Sequence, residues 1–237
     1  MKSRKINKTK NVTAIIPAAG FGLRMQSGQS KYFIEVAGKP VIAHTLEVFE
    51  QADEIKDIIL VTQADDMLKM MDIVKAFSLS KVKKIIPGGK SRTESVYRGL
   101  LELDCETEIV AVHDGVRPFL NETHLVECIN VAEMFGAATL AVKCKDTLKI
   151  VDGDGSLSND VDRESTYQIQ TPQCFKKEVI LKAYKNAMQN NINATDDNTL
   201  VQLIGINPKV VQGDYNNIKI TTPEDLLLAE YMLGQLL

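Results

Sequence analysis

The segment PAAGFGLRM, residues 17–25, combines small residues with a cation directly after a short apolar run. Small residues let a backbone turn tightly and leave its N–H groups open to an anion. The cations Arg24 and Lys31 suit a triphosphate, whose charge rises on its bridging and leaving oxygens during attack at the α-phosphorus. We therefore predict a nucleotide phosphate site at Ala18, Ala19, Gly20 and Gly22. Without the two cations, the glycines are also typical of a tight turn that binds no ligand.

This segment matches neither of the two common glycine-rich nucleotide motifs. The G-x-x-x-x-G-K-[ST] spacing of a P-loop is absent, and the later GGKS lacks it too because Lys84 stands where the first glycine belongs. Met25 stands where a dinucleotide fingerprint has its third glycine, which argues against a dehydrogenase.

A second glycine pair lies in PGGKSRTESV, where Gly89 follows an apolar run and Ser95 falls in the first turns of a helical segment. Small residues at this point leave room for a flat base and a ribose. A nucleotide contact at Gly89 and Ser95 is one interpretation, and a simple turn is the other.

HDGVRPF places Asp114 at the end of a fourth apolar run. Ligands of open α/β sheets bind at the carboxyl ends of the strands, and a carboxylate there suits Mg²⁺, held directly or through water. We predict Asp114 as a nucleotide and metal residue, with simple pairing to Arg117 as the alternative. His113 is interpreted as structural, because no serine or cysteine nucleophile pattern accompanies it.

Four further polar residues are candidates for holding a phosphate monoester. Lys219 lies in what reads as a short apolar strand, an unfavourable place for a cation that does not face an anion. The other three lie in a polar stretch that interrupts the alternation of short apolar runs and helical segments: Thr147, Arg163 and Thr171. An exposed arm would carry such residues in any case.

The elements that position these residues alternate between short apolar runs and longer segments of helical period. Apolar strands alternating with helices predict a mostly parallel sheet buried on both faces, which is a Rossmann-like, doubly wound α/β fold. A last helix is expected after Thr222, the predicted N-cap, with Pro223 in the first turn and Asp225 three residues after the cap.

The alternation of strands and helices is interrupted after Val142, where a polar hairpin with a Gly-Asp-Gly turn is predicted. An isolated two-stranded arm is marginally stable, so a second copy of the chain is its simplest partner. We expect one domain over residues 1–237 with a β-arm at about 143–171 that mediates a homodimer.

Composition limits the possible partners and locations. The chain has 237 residues, 44% hydrophobic and 25% charged, which is typical of a globular domain. A formal net charge of −3 argues against a nucleic-acid partner. Cys105, Cys128, Cys144 and Cys174 have no metal-ligand spacing, and no apolar run approaches the length that crosses a bilayer or serves as a signal peptide. A cytoplasmic protein without a membrane partner is expected.

Several motifs, in order and along nearly the whole chain, carry a family resemblance: AAGFGLRM, SKYF, GGKSRTESVYRGL, HDGVRPF, DTLK, VDRESTYQIQTPQCF, TDDNTLVQLIG and GDYNNIKITTPEDLLLAE. Together they resemble the 2-C-methyl-D-erythritol 4-phosphate cytidylyltransferases of the non-mevalonate isoprenoid pathway. The resemblance implies transfer of CMP from CTP to the sugar-alcohol phosphate, with release of pyrophosphate and with Mg²⁺ or another divalent cation as cofactor.

The resemblance also implies roles for individual residues. Arg24 and Lys31 would stabilise the pentacovalent transition state, and Lys219 and Arg163 would position the acceptor, with Thr147 and Thr171 assisting and Arg117 as a supporting neighbour. Thr147 and Arg163 would act across a dimer. The residues implied for the CTP pocket are Ala18, Ala19, Gly20, Gly22, Gly89, Ser95 and Asp114.

One stretch departs from the family pattern. The family usually has Pro-Lys-Gln before an aromatic residue, whereas Ser30, Lys31 and Tyr32 precede Phe33 here. The lysine is kept, but the changed neighbours leave the loop geometry and the rate open. Two rivals remain: a ribitol 5-phosphate cytidylyltransferase and a non-catalytic nucleotide-binding homologue.

Overall fold

The computed structural model describes residues 10–20 and 30–234. Their strands are, in chain order, β1 (Val12–Ala18), β2 (Glu35–Val36), β3 (Lys39–Pro40), β4 (Ile55–Thr62), β5 (Val82–Pro87), β6 (Ile109–Val112), β7 (Ala137–Lys143), β8 (Lys149–Val151), β9 (Leu157–Asp160), β10 (Tyr167–Lys176) and β11 (Lys209–Gln212). Their α-helices are α1 (Val41–Gln51), α2 (Met67–Ala76), α3 (Arg92–Leu101), α4 (Glu122–Phe135), α5 (Lys177–Gln189), α6 (Asp197–Gln202) and α7 (Pro223–Gly234).

Seven of the strands form one sheet in the order β11-β7-β10-β6-β1-β4-β5. Within it β10 runs antiparallel to both of its neighbours, and the other adjacent strands are parallel. The predicted mostly parallel α/β sheet is confirmed. The strand order reverses at β1, since the chain first adds β4 and β5 on one side and later β6 on the other. Ligands of open α/β sheets bind at such a switch point.

The sheet is buried on both faces, as the apolar strands predict. Alternate residues of β1 show this: Ile16 packs in one core cluster with Leu46 and Phe49 of α1, and Ile15 packs in the other with Val96 of α3. Successive side chains of a strand point to opposite faces, so a strand with two apolar sides needs helices on both. Helices therefore cover both faces of the sheet, as the predicted doubly wound fold requires.

The predicted start of the last helix is confirmed in detail. The Asp225 amide donates to Thr222 Oγ1 at 3.4 Å, and the Thr222 amide donates to Asp225 Oδ2 at 2.9 Å. This reciprocal pair satisfies two backbone donors that a helix start leaves free.

The projecting hairpin is present but shorter than predicted. β8 and β9 pair antiparallel as a separate two-stranded sheet, whereas residues from Tyr167 onward belong to β10 of the central sheet. The arm therefore spans residues 144–166, between β7 and β10. Thr171 lies in the central sheet, because the apolar residues that follow it in β10 continue the core.

A second prediction about local structure was wrong. Lys219 lies in a loop between β11 and α7, not in a strand. The neighbouring Ile220 is buried and its amide donates to the Val116 carbonyl at 2.9 Å, which helps to fix this loop beside the residues that follow β6. A buried isoleucine produced the strand-like pattern.

Candidate active site

Two adjoining cavities lie at the carboxyl ends of β1 and β6. The first has a volume of about 220 Å³ and the second about 340 Å³. Both are lined by Arg92, Asp114 and Lys219, so these three side chains form the boundary between them. The first cavity brings together seven of the predicted residues: Ala19, Gly20, Lys31, Gly89, Ser95, Asp114 and Lys219.

Asp114 lies at the centre of a group of cations. Its Oδ2 is 2.8 Å from Lys219 Nζ and 3.5 Å from Arg117 Nε, and its Oδ1 is 3.8 Å from Arg92 Nε. Burial opposes the charge of this carboxyl, but the neighbouring Lys219, Arg92 and Arg117 hold its pKa well below the usual range. Asp114 is therefore an anion that holds cations in place, and it has no proton to donate near neutral pH.

Arg117 lines the second cavity and is fixed from two sides. Besides Asp114, it contacts the Asn217 carbonyl, to which Nη1 donates at 2.6 Å. Burial lowers the pKa of Arg117, against the effect of Asp114. The simple Asp114–Arg117 pair considered from the sequence is thus one part of a larger cluster.

Arg92 is a site residue that the sequence reasoning missed. Its guanidinium makes a two-pronged ion pair with Asp197, with Nη1–Oδ1 at 2.9 Å and Nη2–Oδ2 at 2.8 Å. The Asp197 side chain is fully buried and also accepts a hydrogen bond from the Tyr184 hydroxyl. Burial disfavours the charge of Arg92, yet Asp197 raises its pKa. The sequence signal for this ion pair was a charged residue in each of two motifs noted above, Arg92 in GGKSRTES and Asp197 in TDDNTL.

Thr171 supports Asp114. His113 Nε2 lies 3.0 Å from the Arg117 carbonyl, which can only accept, so Nε2 carries the ring proton. Nδ1 therefore accepts from the Thr171 hydroxyl at 3.0 Å, and that hydroxyl oxygen accepts from the Asp114 amide at 3.1 Å. The predicted role of Thr171 as a phosphate donor fits poorly, because its only proton is used by His113.

Ser95 contacts the loop that carries the second glycine pair, Gly88 and Gly89. Its hydroxyl donates to the Ser91 carbonyl at 2.8 Å and accepts from the Gly89 amide at 3.0 Å. A Cβ on Gly88 would lie 2.5 Å from Ala19 Cβ, so only glycine fits where this loop meets the first one. Ser95 therefore fixes the loop that lines the first cavity.

The first glycine segment is described in part. Ala19 and Gly20 line the first cavity, whereas the Ala18 side chain is buried in the core at the end of β1. Lys31 lies in a 3-10 turn, Lys31–Phe33, and is 9% exposed. The predicted residues Gly22 and Arg24 lie outside the described residues.

Two predicted residues lie away from both cavities. Thr147 and Arg163 are exposed on the arm, and neither lines the first or the second cavity of its own chain. The arm also exposes apolar side chains, namely Leu148, Ile150, Val151 and Leu157.

Asp114 fits a direct magnesium ligand poorly. Both of its oxygens face cations, and a metal ion would have to displace them. Over residues 10–20 and 30–234, no three His, Cys, Asp or Glu side chains cluster closely enough to hold a metal ion. The described part of the protein therefore supplies no complete metal site of its own.

No helix within the described ranges combines the length and the apolar character needed to cross a membrane.

Comparison with known proteins gives one consistent family. A sequence model of the family 2-C-methyl-D-erythritol 4-phosphate cytidylyltransferase matches residues 12–235. The chain is similar to the protein of that name from Caldanaerobacter subterraneus subsp. tengcongensis, with 42% identity over 224 residues that cover 94% of this chain and 99% of the relative. The protein of that name from Syntrophus aciditrophicus is 45% identical over 223 residues, which cover 94% of this chain and 95% of the relative.

A solved structure agrees with this likeness. The crystal structure of 4-diphosphocytidyl-2C-methyl-D-erythritol synthase from Anaerococcus prevotii aligns with a TM-score of 0.85 and 37% identity, covering 98% of this chain and 100% of that one.

Proposed function

The chain belongs to the family of 2-C-methyl-D-erythritol 4-phosphate cytidylyltransferases, and from this membership we propose how its two cavities divide the reaction. It is a nucleotidyltransferase that transfers CMP from CTP to 2-C-methyl-D-erythritol 4-phosphate in isoprenoid biosynthesis. CTP occupies the first cavity and the acceptor phosphate the second. One observation carries this assignment: Arg92, Asp114 and Lys219 line both cavities, so two phosphates bound there meet beside the same cations.

The reaction is a direct displacement. An oxygen of the acceptor phosphate forms a bond to the α-phosphorus of CTP, the bond from that phosphorus to the bridging oxygen breaks, and pyrophosphate leaves with the electron pair. Negative charge spreads over the oxygens around the α-phosphorus in the transition state. Lys31 and Arg92 line the first cavity and are placed to stabilise this charge. Arg24 remains a predicted partner of Lys31.

Asp114 holds Arg92, Arg117 and Lys219 in place. Fixed cations stabilise developing charge better than mobile ones, because they need no reorganisation during the reaction. Asp114 holds Lys219 at 2.8 Å and is itself held by Thr171 through its backbone amide. Lys219 and Arg117 line the second cavity and are positioned to bind the acceptor phosphate.

The cofactor of this reaction would be Mg²⁺ or another divalent cation, held mainly by oxygens of the triphosphate. Mg²⁺ usually keeps several waters and takes phosphate oxygens as ligands, so it does not require a complete protein site. When bound, it would neutralise charge on the triphosphate and on the leaving pyrophosphate.

The arm completes the active site of a second copy. Thr147 and Arg163 are polar, exposed and away from both cavities of their own chain, while the arm around them exposes four apolar side chains. An isolated hairpin of this size is marginally stable. A homodimer covers the apolar side chains and brings Arg163 to the partner's acceptor cavity.

A cytoplasmic location is supported by the cysteines and by the substrate. All four cysteines are free thiols, as expected in a reducing compartment. CTP is a metabolite of that compartment.

The test is pyrophosphate release from CTP and Mg²⁺ by the purified protein, run in parallel with methylerythritol phosphate and with ribitol 5-phosphate. Release that depends on methylerythritol phosphate is expected. Release with ribitol 5-phosphate alone would assign the protein to the rival acceptor, and CTP binding without release from either acceptor would indicate a non-catalytic homologue.

A further inference from the structure

Tyr32 is a buried tyrosine in the wall of the first cavity. It lies in the 3-10 turn Lys31–Phe33, is 5% exposed, and lines the first cavity together with Gly20, Lys31 and Asp114. Its ring also lies 5.5 Å from Lys31 Nζ, measured to the ring centroid. A buried tyrosine normally needs a partner for its hydroxyl, and the surroundings of this hydroxyl show what the partner is.

The Tyr32 hydroxyl accepts a hydrogen bond from the Gly20 amide at 3.3 Å. The approach is close at this point, because a Cβ on residue 20 would lie 3.3 Å from the same hydroxyl oxygen. Gly20 is one of the residues whose bare amide was expected to bind an anion. In the structure that amide is directed to a tyrosine oxygen at the wall of the cavity.

A phenol both accepts and donates, and this contact uses only its accepting side. The contact with Gly20 leaves the proton of the hydroxyl unused, and the cavity that Tyr32 lines has room for an acceptor. Leaving a buried donor without an acceptor costs about 1–3 kcal/mol. A phosphate oxygen of a bound nucleotide is an acceptor that would satisfy it.

The electrostatic surroundings keep this donor in its neutral form. Burial is the main cause that raises the pKa of Tyr32 well above its usual range, and Asp114 adds to the effect. The hydroxyl therefore keeps its proton near neutral pH, where CTP is an anion. A tyrosinate would repel the triphosphate.

We propose that Tyr32 is a nucleotide-binding residue that donates a hydrogen bond to a phosphate oxygen of CTP while its oxygen holds the Gly20 amide in place. The inference rests on the proposed function, since it takes the first cavity as the CTP pocket. Tyr32 thereby links the glycine segment to the ligand and gives this chain a phosphate contact at the position where its sequence departs from the family pattern.

The experiment measures the dissociation constants of CTP and of cytidine, which carries no phosphate, for the wild type and for Tyr32→Phe. Phenylalanine keeps the ring and removes only the hydroxyl. We expect the Kd for CTP to rise by about tenfold, because the lost bond is one to a charged acceptor. The affinity for cytidine and the KM for the acceptor should stay the same.

Two further variants make the result specific. Tyr231→Phe removes the hydroxyl of an exposed tyrosine on α7 and is expected to bind CTP like the wild type. Tyr32→Gln supplies an amide that can accept from Gly20 and donate to a phosphate, so it should bind CTP more tightly than Tyr32→Phe. Thermal unfolding of each variant shows whether the fold is retained.

Three outcomes are decisive. Equal CTP affinity in wild type and Tyr32→Phe, or a tighter complex in the variant, would overturn the role of Tyr32 while the proposed function stands. An equal loss of affinity for CTP and cytidine would overturn the phosphate contact. A wild type that binds no CTP would overturn the proposed function and this inference with it.

Discussion

The ammonium of Lys219 lies 2.8 Å from the carboxylate of Asp114, although one residue lies in the loop before the last helix and the other follows β6. The contact joins the end of the chain to the switch point of the sheet. Asp114 is 8% exposed and holds Arg92 and Arg117 as well. The site is thus a cluster of cations around one buried anion, at the boundary between two cavities.

Replacing Lys219 by methionine should lower kcat/KM by about 100-fold, comparable to the loss of one donor that stabilises transition-state charge. The fold should persist, because Asp114 keeps Arg92 and Arg117 as partners. Steady-state kinetics with both substrates measures the effect. Lys56→Met is the matched control: Lys56 also lies 2.8 Å from a carboxylate, that of Glu106, but on the exposed surface away from the cavities. Similar activity in the two variants would contradict the role of Lys219.

Replacing Asp197 by asparagine should destabilise the protein by about 3 kcal/mol, because it leaves Arg92 without its buried counter-charge. Urea unfolding at neutral pH measures the change. Glu102→Gln breaks the exposed pair with Lys84 and should cost less than about 1 kcal/mol. The variant should also have a lower kcat, because Arg92 is no longer held in position. Wild-type stability together with wild-type kcat in Asp197→Asn would count against the pair as the support of Arg92.

The buried His113 should make stability depend on pH between 6.5 and about 4. Burial is the main cause that lowers the pKa of His113 from 6.5 to about 4, so in this window the unfolded chain binds a proton that the folded protein excludes. The free energy of unfolding therefore falls as the pH falls through the window. This single group accounts for a loss on the order of 3 kcal/mol.

Urea titrations at several pH values test this, with His113→Asn as the comparison. The asparagine variant should be less stable at pH 7 but should show a flatter dependence between pH 6.5 and 4. Parallel slopes for the two proteins would show that His113 is not the group responsible.

Mixed dimers test the shared active site. Arg163→Ala and Lys219→Met should each be nearly inactive, since each damages every site of its own dimer. In a heterodimer of the two, one site carries both changes and the other carries neither. Unfolding and refolding an equimolar mixture should restore about a quarter of the wild-type activity. A mixture that remains as inactive as its components would place Arg163 outside the partner's site.

Replacing Lys31 by alanine should lower kcat far more than it weakens CTP binding, because the contact strengthens as charge develops at the α-phosphorus. Single-turnover rates and the Kd for CTP separate the two effects. Equal losses in rate and affinity would make Lys31 an ordinary ground-state contact.

The sequence predicted the fold well, because the periodicity of apolar residues reports burial directly. Ile15 and Ile16 of β1 face opposite layers, and the reciprocal hydrogen bonds of Thr222 and Asp225 start α7 as predicted. A cation in an apolar stretch predicts a nearby anion, and Lys219 does contact Asp114, although it lies in a loop and not in the predicted strand.

The site was predicted less completely, because its decisive contacts join distant parts of the chain. Arg92 is one of many exposed-looking polar residues in the sequence, and only the fold brings it to Asp197. Thr171 shows the same dependence on the fold. The sequence alone predicts that it assists in holding the acceptor phosphate, but the hydrogen bond that commits its proton to His113 depends on the register of β10 beside β6.

The most direct test of the account is ³¹P NMR of the reaction of CTP with methylerythritol phosphate labelled with ¹⁸O in its phosphate group. Direct attack by the acceptor phosphate predicts a diphosphate product whose bridging oxygen carries the label, together with unlabelled pyrophosphate. Formation of CMP without a diphosphate product, or label in the released pyrophosphate, would contradict transfer between the two cavities.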